Sequence, residues 1–387
     1  VSLTKAEVNE RFYDAVGGDL AFETEAQHYL HPLAVARLVA AQATALGRRR
    51  IKILELGAND CTFATSLLKL LSAFTAQGEA TLERIEYFAV DLARRSLEAA
   101  LRRHADAGFH RAAPGSAGSP LVGSLLRLGV PGVELCLVHA DARRFVAGGS
   151  GVYDVVVVNE LLDDLPSRVF FADAAGSVRE LVAGATTDGE RWTVTVTAAE
   201  ARDAPALPPS TLAVTSPEAT AVVRGAAERL GSGGVMVVHD YGLVEPAAPL
   251  ADYEHPPRSL PSFVELVVEP GAPRSFFRLF GDERAKVVQI TTDVSFPELA
   301  AALAGAGTTI VLPHGNNLLQ SRSPRGDDLR EGDGVFLSEL GLLRPGGDLA
   351  ALLARLEREQ EELRRRYAAE HLGGRASMYA DLLFAKR

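Results

Sequence analysis

Runs of consecutive apolar residues recur along the chain, and each ends abruptly at an acid, an amide or a glycine. They are IKILELG (51–57), IEYFAVD (85–91), VELCLVHAD (133–141), YDVVVVNE (153–160) and VMVVHDYG (235–242). Such runs, bounded by turns and separated by segments long enough for helices or crossovers, predict parallel strands covered on both faces. Between them the apolar positions fall at helical spacing. HPLAVARLVAAQATALG (31–47) stops at Gly47, CTFATSLLKLLSAF (61–74) follows the first strand, and LARRSLEAALRRHADAG (92–108) follows the second. SPEATAVVRGAAERLGSGG (216–234) predicts a helix with Ser216 at its start and glycines at its end.

Elsewhere the pattern breaks up. Residues 111–131, with Pro114, Gly115, Gly118, Pro120 and Pro131, predict a loop or short insertion. After Pro166 come RVFFAD, SVRELVA and RWTVTVTA, short β-like runs that predict a small antiparallel excursion. Residues 243–272 hold several prolines and predict a long surface loop; SFFRLFG and KVVQITTD follow as strands, then a helix over 296–305 and the strand TTIVLPHG. A long helix capped by Asp348, with Leu349, Leu352, Leu353, Leu356 and Leu363 on its apolar side, precedes a terminal strand, MYADLLFAKR. The expected organisation is an N-terminal helical cap (1–48), a Rossmann-like core (49–165 and 214–242), a small β insertion (166–213) and a closing segment with substrate-side loop, strands and helical insertion (243–387). The fold class is α/β, a mostly parallel sheet with helical N- and C-terminal additions.

Composition narrows the class. At 387 residues, 47% hydrophobic and 23% charged, the chain is an ordinary globular protein long enough for two domains or for one large core with insertions. A net charge of −10 argues against non-specific binding to nucleic acid or an anionic membrane. Two cysteines, Cys61 and Cys136, exclude a disulfide framework and fit a reducing compartment, so a cytoplasmic location is expected. No apolar run approaches the ~20 residues that span a bilayer. The N-terminus shows no secretory pattern, and a start at Val1 leaves a removed leader open.

Open parallel sheets bind ligands beyond the carboxyl ends of their strands. Here those ends carry Glu55 and Gly57, Asp91, Asp141, Asn159 with Glu160, and Asp240. A pyrophosphate would want glycines, free N–H groups and positive charge. An acidic rim suits a ligand with a cation and a ribose diol, and S-adenosylmethionine has both. Gly57 would let the backbone approach the methionine portion, with Glu55, Ala58 and Asn59 beside it. Asp91 would accept from the ribose hydroxyls, and Asp141 would meet the adenine amino group. The loop Ala58-Asn59-Asp60-Cys61 lacks further glycines, but Asn59 and Asp60 tolerate left-handed geometry and Cys61 is small.

NELLDDLPSRVF (159–170) resembles the NE-F-F-D-A-L-P segment of the MidA-type (DUF185) methyltransferases. HDYG (239–242), TTDVSFPELAAAL (291–303), GVFLSELGL (334–342), SVRELV (177–182) and SMYADLLFAKR are similar to further segments of that family, in the family's order. The family's ELGPGRG loop is ELGANDC here. The resemblance implies a class I methyltransferase fold, S-adenosylmethionine as donor and, as in characterised members, N-methylation of a protein arginine. The residues expected to shape the acceptor site are Glu160 and Asp163, with Asn159 beside them and Asp164 turned outward. Two other functions stand beside this one: methylation of a peptide or small metabolite on the same core, or a non-catalytic interaction protein that keeps the fold. The partner is then a protein, peptide or small-molecule acceptor, and homodimerisation is left open.

Each residue also has a plainer reading. Gly57 and Asp91 could merely end strands. Asp141 could start a helix, and Glu160 and Asp163 could cap the next one. Cys61 is expected to be a small packed residue. His28 and His31 share a helix face without a third ligand, so no metal is expected. His239 and Asp240 should point to opposite faces of their strand. Arg364–Arg366 is expected on a solvated helix face.

Overall fold

The computed structural model describes residues 2–17, 30–76, 78–108, 110–111, 121–124, 132–148, 151–253, 260–273, 277–312 and 379–387. The expected helix after Asp348, GVFLSELGL, Arg364–Arg366 and His28 lie outside these residues.

The core sheet is built from β1 (Arg50–Leu56), β2 (Arg84–Asp91), β3 (Val133–His139), β4 (Tyr153–Asn159), β5 (Leu230–Leu243), β6 (Gly307–Leu312) and β7 (Tyr379–Lys386). Its order is β6-β7-β5-β4-β1-β2-β3, followed by short edge strands at Leu121–Ser124 and His110–Arg111. Neighbours from β5 through β4, β1 and β2 to β3 are parallel, and β7 runs antiparallel to both β5 and β6. Among the described strands, β7 thus lies between β5 and β6. The five apolar runs form the parallel part as their lack of alternation requires, since both faces are covered. Odd-numbered Ile53, Val155, Val157, Val235 and Val237 face one layer with α2 (Leu30–Ala45) and α3 (Thr62–Ala76). Even-numbered Leu54, Leu56, Val156, Val158, Met236 and Val238 face the other, with α5 (Ala142–Gly148), α6 (Pro217–Glu228) and α7 (Phe296–Ala302).

A second, seven-stranded sheet corrects the expected organisation. Its order is 248–249, 211–215, 168–172, 178–187, 192–200, 264–268, and Ser2–Thr4 adds to 178–187. The antiparallel excursion therefore draws strands from the N-terminal cap and from the supposed loop 243–272, beyond the expected 166–213. The physical reason is that a small sheet must cover one face: Leu3, Trp192, Val194, Val196, Leu212, Val214 and Val264 share a core with Val288 and Ile290. Those last two belong to the hairpin Arg278–Asp282/Val287–Thr291. The glycines after α6 are corrected too. The helix stops at Glu228, and Gly231, Gly233 and Gly234 lie in β5, where the register shifts between Leu230 and Val235.

The N-terminal helix α1 (Lys5–Val16) opens with a capping box. Thr4 accepts from the Glu7 N–H, and Glu7 accepts from the Thr4 N–H at 2.8 Å. Asn9 then bonds both backbone groups of Ile290, at 2.8 and 2.9 Å, tying α1 to the hairpin. Among the described residues no helix is long and apolar enough to cross a membrane.

Candidate active site

The loop after β1 is held from below. Gly57, at φ +75°, and Ala58 both donate their N–H to Val90 O (2.9 and 3.1 Å), and Asn59 N–H donates to Asp91 Oδ2 at 2.7 Å. Asp91 Oδ1 accepts from Ala93 N–H at 2.7 Å. With these N–H groups engaged inside the protein, the loop has few left for a pyrophosphate. It does offer Asn59 Oδ1, a buried acceptor without a partner among the described residues. Burial pushes the Asp91 carboxyl up to about 6, against the two N–H bonds that pull it down. The donor set therefore suits a ligand with hydroxyls and a cation.

The left-handed residues of the loop are Asn59 (φ +46°) and Cys61 (φ +62°), not Asn59 and Asp60 as the sequence suggested. Asp60 is held instead as the cap of α3, where it accepts Thr62 N–H (3.0 Å) and Thr62 Oγ1–H (2.7 Å). Its other oxygen pairs with Arg103, from α4 (Arg94–Arg103), so the buried charge is balanced. Cys61 is fully buried, and burial pushes its thiol well up, which fits a packed residue. Glu55 is also buried; it accepts from the Tyr87 hydroxyl at 2.9 Å, and burial holds its carboxyl well above the usual range. Glu55 therefore lies beneath the loop rather than on the open rim. Asp141 stands apart. It accepts Arg143 N–H at 2.9 Å at the start of α5 and pairs with the Arg143 guanidinium, which lowers its carboxyl. This is the geometry of its plainer, helix-start reading.

The β4 end carries most of the polar chemistry. Asn159, His239 and Asp381 stand side by side on β4, β5 and β7. All three face α2, whose buried His31 donates Nε2–H to Asn159 Oδ1 at 2.8 Å. His239 Nδ1–H donates to Asp381 Oδ1 at 2.6 Å, and its ring stacks between His31 (4.3 Å) and Tyr379 (4.7 Å). The donor atoms of His31, His239 and Asp381 lie within 4.8 Å of one another. Burial, then repulsion from His239, pushes His31 down to about 3, so it is neutral. Asn159 Nδ2 is left buried without a partner among the described residues. Sequence spacing could not reveal this row, because only strand register joins residues so far apart. Its one legible signal was a run of polar residues inside otherwise apolar strands.

Asp240 points the other way, as alternation along the strand requires. It accepts Leu162 N–H (2.8 Å) and Asp163 N–H (3.3 Å), and so caps the short 3₁₀ turn Leu162–Asp164. The capping role weighed for Glu160 and Asp163 thus belongs to Asp240. Burial raises Asp240 to about 7. Glu160 sits at φ +45°, a strained conformation for a non-glycine residue, and its Oε2 accepts from the Tyr379 hydroxyl at 2.8 Å. Tyr379 and Tyr241 also share a hydroxyl–hydroxyl contact. Asp163 is 3% exposed, with Oδ1 unpartnered among the described residues. Its carboxyl is held well up by burial, then by Asp240 and Asp164. Asp164 is not the outward neighbour expected: it accepts from Tyr13 (2.6 Å), Asn9 (2.9 Å) and Gln289 (2.9 Å). An inward acid with three donors is better satisfied there than beside its like-charged neighbours.

Residues 34–312 match the model of a family described as "Putative S-adenosyl-L-methionine-dependent methyltransferase". The chain belongs to this family. A crystal structure of an uncharacterized protein from Burkholderia thailandensis covers all of this chain and 87% of its own, at 20% identity and a TM-score of 0.53, so the two share a fold. A second structure from Burkholderia thailandensis, described as a likely methyl transferase bound to S-adenosyl-homocysteine, covers 92% of this chain and 76% of its own at 20% identity and a TM-score of 0.47. No curated protein matches by sequence. Family membership makes the chain an S-adenosylmethionine-dependent methyltransferase of the α/β class. Residues placed where they could hold the donor are Gly57, Ala58, Asn59 and Asp91, with Asn159 at the adjoining strand end.

Proposed function

We propose that this methyltransferase N-methylates a protein arginine, and that Glu160 and Asp163 receive the guanidinium. The observation that carries the proposal is the charge of the β4 end. Glu160, Asp163, Asp164 and Asp240 crowd one turn, and burial with mutual repulsion raises Asp163, Asp164 and Asp240. A cationic acceptor would relieve that repulsion. Glu160, fixed by Tyr379 and by its strained backbone, would pair with two guanidinium nitrogens and turn the third toward the donor. Pairing with the arriving guanidinium would favour the ionised form of Asp163, and its Oδ1, unpartnered among the described residues, would then take the proton released as the new bond forms. Asn159, oriented by His31, has its buried Nδ2 unpartnered among the described residues and would offer it to the bound donor or acceptor. Bound S-adenosylmethionine supplies the electrophilic methyl group. The residues keep nucleophile and methyl in line, since an in-line displacement depends mainly on alignment. A cytoplasmic setting accords with two buried, free cysteines.

The test is transfer of labelled methyl from S-adenosylmethionine to arginine-containing peptides, with mass spectrometry locating the methylated atom. Glu160→Gln should keep S-adenosylhomocysteine affinity and lose at least ~10²-fold in single-turnover rate, the scale of a misplaced reactant. Methyl found on another residue type, or a near-normal rate for Glu160→Gln, would remove the arginine clamp and favour a peptide or small-metabolite acceptor that arrives neutral.

A further inference from the structure

The turn that carries Asp163 is held from outside the family-matched segment. Residues 5, 9 and 13 of α1 lie four apart, on one face of the helix, and all three reach it. Lys5 Nζ donates to Asp163 O (2.6 Å), Leu165 O (3.1 Å) and Thr292 Oγ1 (2.7 Å). Asn9 and Tyr13 donate to the two carboxylate oxygens of Asp164. The N–H side of the same turn is gripped by Asp240. The turn is thus clamped at both ends, by an acid from β5 and an amine from α1. Thr292 adds a bond from its own N–H to Asp163 O at 3.2 Å.

We propose that the stripe Lys5–Asn9–Tyr13 is a latch that positions the Leu162–Asp164 turn for methyl transfer, with Lys5 as its positioning residue. This rests on the assignment of that turn to the acceptor site. Among the described residues, the hydrogen bonds of Lys5 go to the turn and to Thr292, with none to the β1 loop. All its protons go to neutral oxygens, while the carboxylates of Asp163, Asp164 and Asp240 and the guanidinium of Arg278 surround it. Packing alone does not need this arrangement, because Phe12 and Val16 already anchor α1 against Val287. A cation at this point cancels part of the charge crowded on the turn and fixes where its carbonyls lie. Burial pulls the amine down to about 8, against the pull of those acids, so the latch loses its charge within an accessible pH range.

The experiment uses the full chain with Lys5→Met and Lys5→Arg. Hydrogen exchange of residues 160–165, corrected for intrinsic rate, is followed from pH 6 to 9. In Lys5→Met the turn should exchange about 10-fold faster, as expected when charged hydrogen bonds are lost. The β1 and β4 amides and S-adenosylhomocysteine affinity should stay unchanged. Lys5→Arg should restore protection and remove the loosening that the wild type shows above about pH 8. Transfer of methyl to N-acetyl-arginine amide should fall in parallel in Lys5→Met, in kcat rather than in KM for the donor. Unchanged turn exchange in Lys5→Met overturns the latch, and so does loosening spread equally over β1 and β4. If the wild type does not methylate N-acetyl-arginine amide, the arginine assignment falls, and the exchange data alone decide the latch.

Discussion

Gly57 is the position at which the cofactor loop is most exposed to a single atom. A Cβ built there would lie 3.1 Å from Leu161 Cβ, 3.2 Å from its Cδ1 and 3.4 Å from its Cγ, at a backbone φ of +75°. Two costs follow. A left-handed backbone costs a non-glycine residue ~1–2 kcal/mol, and forcing extra atoms into a packed contact adds ~1–3 kcal/mol. Leu161 cannot give way easily, because the next two residues are tethered through their N–H groups to Asp240. Gly57→Ala should therefore lose roughly 2 kcal/mol of stability at the low end of both terms, and Gly57→Val, whose branch adds further crowding, roughly 3–5 kcal/mol. The consequence reaches the donor, because the Gly57 and Ala58 N–H groups both rest on Val90 O and the adjoining Asn59 N–H on Asp91. Equilibrium urea denaturation gives the first quantity and calorimetry with S-adenosylhomocysteine the second. Leu161→Ala in the Gly57→Ala background should recover about 1 kcal/mol, the coupling typical of residues in contact. Gly57→Ala and Gly57→Val both within ~0.5 kcal/mol of wild type, with unchanged ligand affinity, would refute the argument and place the ligand elsewhere.

Two further outcomes follow from the acids. Asp91→Ala should weaken S-adenosylmethionine by about 1.5–3 kcal/mol, the range for hydrogen bonds to a charged group. A 2′,3′-dideoxy analogue should show a smaller loss, retained because Asp91 also holds Asn59; an equal loss for both ligands would leave Asp91 only a loop-holding role. Asp240, raised from 3.8 to about 7, binds a proton in the folded protein that the unfolded chain releases between those values. Its contribution to stability is therefore full below about pH 4 and lost as pH rises through about 7. Asp240→Asn should make stability, measured by denaturation, fall less steeply across that window; an unaltered slope would show that Asp240 does not carry the proton.

The parallel strands and their helices were legible in the chain because each carries its own evidence, an uninterrupted apolar run or a 3.6-residue period. So was the chemistry of the rim, since residues ending such runs must stand at the carboxyl edge of the sheet. His239 and Asp240 facing opposite sides also follows from local alternation. The second sheet was underestimated because its strands Ser2–Thr4, Ala248–Pro249 and Val264–Val268 are short and carry no period of their own. They are strands because neighbours supply their hydrogen bonds and a shared apolar face.

The site divides in the same way. Gly57, Asp91, Asn159, Glu160 and Asp163 were candidates by their places at or just after strand ends. That Asp163 would be buried, Asp164 held by α1, Glu55 sunk beneath the loop and Asp141 tied to Arg143 could not. Nor could the row Asn159–His239–Asp381 or the grip of Lys5 on the turn. The sequence by itself determines which residues stand at strand ends, because backbone periodicity is a local property. Burial, pairing and proton affinity depend on groups brought together across the chain, and only the tertiary structure decides which those are.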